Sequence, residues 1–117
     1  MGLLRWFTEN WADTREPTHA DLYPITLPLT PEAAAGVVKN AVASLPRWAV
    51  VSEPPGEIKL TRRTRLLGFV DDVTVTIKPA GPGSMIHAAS TSRVGVGDLG
   101  QNRRNILELW AAIRAIS

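Results

Sequence analysis

The chain has 117 residues, of which 44% are hydrophobic and 21% charged, and a formal net charge of +2. This length predicts one domain whose core is large enough to hold without cross-links. The lack of cysteine excludes disulfides, thiolate catalysis and cysteine-based metal centres. Ten of the thirteen cations are arginine, so any anion site is expected as a local patch rather than a general basic surface.

The hydropathy pattern predicts a soluble, cytoplasmic protein. There is no run of about 18 apolar residues, as a membrane span would need. The N-terminal apolar run is too short for a secretory signal and is followed closely by acids, and no lipoprotein signal is recognised.

Residues 1–24 are predicted to form a small helix and a linker arm. Leu4, Phe7 and Trp11 recur at spacings of three and four, which is typical of an amphipathic helix over residues 3–12. A helix this short needs a surface to pack on. Its own domain, a second copy of the chain and a membrane surface remain alternatives. His19, in the polar segment that follows, has no second ligand at metal spacing, so no metal site is predicted.

Residues 25–117 are predicted to form a single α+β domain. A first strand covers Ile25–Leu29, and Pro28 inside it favours an edge position or an early end. Thr30 as N-cap and Pro31 as first helical residue predict a helix that runs to about Ser44.

Four further strands and a last helix complete the predicted domain. The strands are Trp48–Ser52, Glu57–Arg65, Val70–Lys78 and Ser84–Arg93. Asp98 is the predicted N-cap of the last helix, whose apolar stripe is Ile106, Leu109, Trp110 and Ile113. This order predicts one antiparallel sheet with helices on one face, as in TATA-box-binding-protein-like and helix-grip folds.

The alternation of side chains also predicts the strand register. A loop at Ala80–Gly83 places Ile77 opposite Ile86 and Asp71 opposite Ser92, and a loop at Leu66–Phe69 places Thr64 opposite Asp71. A buried carboxylate requires hydrogen-bond donors. The predicted structural polar cluster is Thr64, Asp71, Ser92, Asp98 and Asn102.

The opposite face of the predicted sheet carries charged side chains. It is either an ordinary solvated face with weak ion pairs or a surface that binds anions or a partner. The residues of this candidate binding face are Arg63, Arg65, Asp72, His87 and Arg93.

Three segments carry a family resemblance. The matching residues are Leu45, Pro46 and Trp48; then Gly68, Phe69, Asp71, Asp72 and Val73; then Ser92, Arg93, Gly95, Asp98, Gly100, Asn102 and Ile106, with His19, Asp21 and Leu22 upstream. Over about residues 19–116 the chain resembles DUF1499, a family of bacterial and plastid proteins whose function is unassigned. Leu67 replaces a usual Phe, and Asn105 stands where an Arg is common, which weakens any anion site resting on that Arg.

Three classes of function follow from these features. The first is a non-enzymatic binding or assembly module that uses the charged face or the Trp-rich N-terminus, with a protein or a small anion as partner; the small net charge argues against nucleic acid. The second is a carrier of a small apolar ligand, with a cavity between the sheet and Trp110. The third is an enzyme, disfavoured because the sequence contains no recognised catalytic motif. No cofactor is predicted.

Overall fold

The fold contains six strands and two helices in the part of the chain that the computed structural model describes, residues 11–15, 22–64, 68–93 and 100–117. Their bounds are Trp11–Asp13 (β1), Ile25–Leu27 (β2), Pro31–Ala43 (α1), Trp48–Ser52 (β3), Glu57–Arg63 (β4), Val70–Ala80 (β5), Gly83–Ser92 (β6) and Gln101–Ile116 (α2). The α+β class and the order of elements from β2 onward are confirmed.

All six strands form one antiparallel sheet, in the spatial order β1-β6-β5-β4-β3, with β2 also paired to β6. β1 lies opposite Ala89–Thr91 and β2 opposite Ser84–Ile86, so the two short strands follow one another along the same edge of β6. Pro28 comes directly after β2. Both parts of the proline prediction, an edge position and an early end, are therefore confirmed.

α1 begins where its capping residues predict. Thr30 has an extended backbone, its Oγ1 accepts a hydrogen bond from the Ala33 N–H at 3.2 Å, and Pro31 is the first helical residue. Such a cap stabilises a helix by about 1 kcal/mol relative to alanine. The helix ends at Ala43, shortly before Pro46, which cannot continue it.

Both helices pack on the same face of the sheet, the inner face. One buried cluster joins the apolar stripe of α1 and that of α2 to alternate residues of the strands. Its members include Val38, Val42, Ile58, Leu60, Val73, Val75, Ile86, Ile106, Leu109, Trp110 and Ile113. Because successive strand residues face opposite sides, the remaining side chains of β4, β5 and β6 lie on a second face that neither helix covers.

The sheet begins earlier in the chain than the sequence predicts. Trp11 and Ala12, assigned to an amphipathic helix, lie instead in β1 and pair with β6, so the helix prediction is wrong for them. Leu4 and Phe7 lie outside the described residues. Leu22 is buried in the core, and the Trp110 Nε1–H donates to the Tyr23 carbonyl at 2.6 Å. The end of the predicted linker arm is thereby attached to α2.

The predicted register is confirmed for the pair of strands β5 and β6, and it is wrong for the pair β4 and β5. Ile77 lies opposite Ile86 and Asp71 opposite Ser92, as expected. Asp71 lies opposite Arg62 rather than Thr64, a shift of two residues. The Thr64 N–H donates to the Phe69 carbonyl at 2.8 Å, which closes the hairpin one residue earlier than predicted on each side. A shift of two keeps every side chain on its face.

α2 begins at Gln101, directly after Gly100. Gly100 occupies the N-cap position with a left-handed backbone, φ 81°, and none of the described side chains caps the helix there. Asp98, the predicted N-cap, lies outside the described residues. A glycine is favoured at this position because a side chain strains a backbone with positive φ.

Candidate functional site

The face of the sheet that neither helix covers is called the outer face below. On the three long strands its described residues are Glu57, Lys59, Thr61 and Arg63 of β4, Val70, Asp72, Thr74, Thr76 and Lys78 of β5, and Met85, His87, Ala89 and Thr91 of β6, with Arg93 directly after β6. Among these described residues, four lysines and arginines stand against two carboxylates. The part of the outer face on these three strands is thus moderately electropositive.

Arg93 and Asp72 form the best-defined ion pair of the outer face. The Arg93 Nε and Nη2 donate to the two Asp72 carboxylate oxygens, each at 2.8 Å. The hydrogen bonds from Arg93 lower the pKa of Asp72. The two side chains are 54% and 45% exposed, so water screens the pair. An exposed ion pair of this kind contributes about 0–1 kcal/mol to stability.

Arg63 lies on the other side of β5 from Arg93. It is paired with Val70, and the Arg93 N–H donates to the Val70 carbonyl at 3.2 Å, so the two arginines flank one residue of β5. Two strand spacings separate their backbones, about 10 Å. In the described part of the chain, Arg63 has no carboxylate partner; its Nη1 reaches the Gly68 carbonyl at 3.5 Å.

The predicted candidate binding face is brought together only in part. Asp72 is opposite Thr61 and Thr91. The predicted pairing of Thr64 with Asp71 would have placed Asp72 opposite Arg63. Arg65 lies outside the described residues. The cluster that the described residues form is therefore Arg63, Asp72 and Arg93.

His87 is on the outer face but far from this cluster. Six residues of extended chain separate it from Arg93, about 20 Å. Its Nδ1 lies 3.1 Å from the hydroxyl of Thr14, which is buried at the end of β1. Burial lowers the pKa of His87, and the positive charge of Arg15 lowers it further. His87 is hence neutral near pH 7 and adds no charge to the outer face.

A second polar feature lies on the inner face, beneath the first half of α2. Ser92, Asp71, Arg62 and Trp48 are directly opposite one another across β6, β5, β4 and β3. Together with Ser90 of β6 and Asn102, Asn105 and Glu108 of α2 they are called the polar row. Asp71, Arg62, Ser90 and both asparagines are buried.

The asparagines of α2 connect β5 and β6. The Asn105 Nδ2 donates to the Asp71 carboxylate at 2.8 Å and to the Ser90 Oγ at 3.2 Å. The Ser90 hydroxyl donates to the Asn102 Oδ1 at 2.6 Å, and the Asn102 Nδ2 donates to the Ser92 Oγ at 2.9 Å. Since Ser90 donates to an amide oxygen, which is a weak base, the contact does not activate it as a nucleophile.

Glu108 extends the polar row to the other edge of the sheet. Its Oε1 accepts hydrogen bonds from the Trp48 Nε1 at 2.5 Å and from the Arg62 Nε at 3.3 Å. Arg62 is buried, and a buried guanidinium requires such a partner. The polar row therefore fixes the position of α2 over four strands.

Part of the polar row was predicted. Asp71, Ser92 and Asn102 come together as expected, but Thr64 does not join them; its Oγ1 accepts from the Phe69 N–H at 2.9 Å in the hairpin. Ser90, Asn105, Arg62 and Glu108 were missed. Asn102, Asn105 and Glu108 recur every three residues beside the apolar stripe of α2, a spacing that could have indicated a buried polar contact.

Two open grooves lie elsewhere on the surface. One, of about 250 Å³, is between the start of α1 and the β3–β4 turn and is lined by Pro31, Glu32, Glu53 and Pro54 among others. The other, of about 380 Å³, is beside the β5–β6 turn, against Leu27 and Pro28. Neither is lined by a residue of α2. Within the described ranges, no three His, Asp or Glu side chains are placed to hold a metal ion. No described helix is long and apolar enough to cross a bilayer.

Fold and site together define a small α+β protein with one antiparallel sheet, two helices on its inner face and a charged outer face. The family model described as "Protein of unknown function (DUF1499)" matches residues 7–113, nearly the whole chain. The chain belongs to this family, and the resemblance of its sequence motifs is confirmed. No curated protein matches it by sequence.

Two solved structures of low sequence identity align with most of the chain. Protein CV1439 from Chromobacterium violaceum aligns with a TM-score of 0.51 and 10% identity, covering 92% of this chain and 97% of that one. Protein TTHA0849 from Thermus thermophilus aligns with a TM-score of 0.43 and 11% identity, covering 92% and 99%. The first similarity supports the fold alone.

Proposed function

We propose that this protein is a non-enzymatic binding module whose outer face docks an acidic partner protein. The observation that carries the proposal is the cluster of Arg63, Asp72 and Arg93 on a sheet face that neither helix covers. Arginine is enriched where protein interfaces derive most of their binding energy. Here two arginines flank Val70 on that face.

The charges of the outer face support a protein partner of opposite sign. Lys59 is paired with Glu57 at 3.4 Å, while Arg63 and Lys78 have no carboxylate partner among the described residues. An acidic surface would provide carboxylates to these cations, and its negative charge would accelerate association at low ionic strength. The polar row, by contrast, is mostly buried, and its hydrogen bonds hold α2 on the sheet.

The carrier alternative receives less support from the packing. Trp110, predicted to border a ligand cavity, is 2% exposed and packs in the core with Ile106, Leu109 and Ile113. Its indole N–H is occupied by the Tyr23 carbonyl. Side chains of α2 therefore occupy the region where the ligand would have to lie.

Affinity capture with charge-reversed variants tests the proposal. The wild-type chain, Arg93→Glu and Arg63→Glu are each immobilised and exposed to the same cell extract, and bound proteins are quantified by mass spectrometry. Arg114→Glu is the matched control, because Arg114 is exposed in the last turn of α2 and its reversal changes the net charge equally. Circular dichroism melts verify that each variant is folded.

We expect that the wild type and Arg114→Glu retain a set of proteins that Arg93→Glu and Arg63→Glu do not retain. The retained proteins should be acidic, and salt should weaken their binding, because exposed charges are screened within about 10 Å at 0.1 M salt. If no protein is lost from the two outer-face variants relative to Arg114→Glu, the proposal is wrong.

A further inference from the structure

We infer that Asp72 competes with the partner for Arg93. In the free protein the Asp72 carboxylate is hydrogen-bonded to the guanidinium group of Arg93, and in the complex a carboxylate of the bound acidic segment replaces it. This inference rests on the proposed function and adds the ligand group and a regulating residue to it. It assigns Arg93 as the anchor of the site.

The geometry of the pair shows which group the fork of Arg93 accepts. Two parallel hydrogen bonds of 2.8 Å join the guanidinium to the two oxygens of one carboxylate. This is the bidentate arrangement in which arginine selects a planar two-oxygen group. An aspartate or glutamate side chain of a partner presents the same group, so it can take the place of Asp72 without any change in Arg93.

Because Asp72 and Arg93 are exposed, replacement of Asp72 by a carboxylate of the partner costs little free energy. Both side chains of the pair are about half exposed, so an incoming carboxylate reaches the fork from solvent and the pair that it breaks is weak. Asp72 also has other groups to turn to. Thr61 and Thr91 lie directly opposite it on the neighbouring strands, and the positive charge of Lys59 acts on its carboxyl.

The surroundings favour a protein segment over nucleic acid. The outer face alternates cations with Glu57 and Asp72, whereas a phosphate backbone attracts continuous positive charge. The aliphatic side chain of Val70, between Arg63 and Arg93, provides the apolar contact that protein interfaces combine with arginine. The occupant is therefore an acidic segment of a partner protein.

Fluorescence anisotropy with a fluorescein-labelled oligoglutamate peptide tests the inference at low ionic strength. Removal of the competitor in Asp72→Asn should tighten binding about two- to fivefold, the range that an exposed ion pair allows. Arg93→Gln should weaken binding, and Asp72→Asn should have no further effect in the Arg93→Gln background. Glu57→Gln is the matched control, since it removes one negative charge from the same face without touching Arg93.

The outcomes separate the inference from the proposed function. If Asp72→Asn weakens or does not change binding, or if Glu57→Gln tightens it as much, Asp72 is not a competitor, although the proposed function stands as long as Arg93→Gln weakens binding. If Arg93→Gln has no effect on peptide binding, both are wrong. An oligothymidylate of equal charge that binds more tightly than the peptide, and loses affinity with Arg93→Gln, would also overturn the inference in favour of nucleic acid.

Discussion

Replacement of Asn105 by aspartate should strongly destabilise the protein, although it exchanges only an amide nitrogen for an oxygen. Asn105 is fully buried, and its Nδ2 is 2.8 Å from the Asp71 carboxylate. In Asn105→Asp two carboxylates face each other at this place. Two like charges relaxed to about 4 Å repel by about 4 kcal/mol at an effective dielectric constant of 20. The melting temperature should fall by roughly 12–20 °C for a domain of this size.

The pH dependence of the free energy of unfolding tests whether repulsion between the two carboxylates causes the loss of stability in Asn105→Asp. When two carboxylates share a buried site, one of the two pKa values of the pair rises above the unfolded value of about 3.9. A raised carboxyl pKa means that the folded state takes up a proton first as the pH falls. The loss in Asn105→Asp, measured by urea denaturation relative to wild type, should therefore be full near pH 7 and shrink toward pH 4.

The exchange variant Asp71→Asn/Asn105→Asp is the control. It restores one amide and one carboxylate across the same contact and should recover most of the lost stability. A loss of less than about 1 kcal/mol in Asn105→Asp, or a loss that does not depend on pH, would refute the account of the polar row.

Two further substitutions test the packing. Gly83→Ala should lower the free energy of unfolding by about 1–3 kcal/mol, because its Cβ would lie 2.1 Å from the Leu27 carbonyl oxygen and force β2 away from β6. Its control is Gly36→Ala, which has open space around its Cβ inside α1 and should be neutral or stabilising by up to about 1 kcal/mol. Trp110→Phe should cost about 1–3 kcal/mol, since it leaves the Tyr23 carbonyl without its donor and a gap in the core. Urea denaturation measures both, and equal stability of Gly83→Ala and wild type would contradict the close approach of β2.

The sequence predicts most of the fold because its local signals agree with the final packing. The cap at Thr30 and Pro31 and the alternation in β5 and β6 are signals of this kind. A one-residue slip in β6 would turn Ile86 toward solvent, so its register is strongly specified. In β4 the alternatives differ by two residues, which leaves the same side chains on the inner face, and the pattern cannot distinguish them.

The parts that were missed depend on contacts between distant residues. Trp11 and Ala12 form a strand because β6 offers them an edge, and three residues are too few to reveal a period of two. Asn105 contacts Asp71, which is 34 positions away in the sequence, and the local sequence around either residue does not predict this contact. For the site, the sequence indicated the outer face, its charges and the proximity of Asp72 to Arg93, while the bidentate geometry of that pair required the fold.

Protection of single introduced cysteines by a bound partner tests most directly whether a partner docks on the outer face. The natural chain has no cysteine, so each reporter is unique. Thr91→Cys places one on the outer face, and Ala111→Cys places one on the exposed side of α2. At saturation with the partner recovered by affinity capture, maleimide labelling should slow markedly at Thr91→Cys and remain unchanged at Ala111→Cys. Slowing at Ala111→Cys alone, or at neither position, would contradict docking on the outer face.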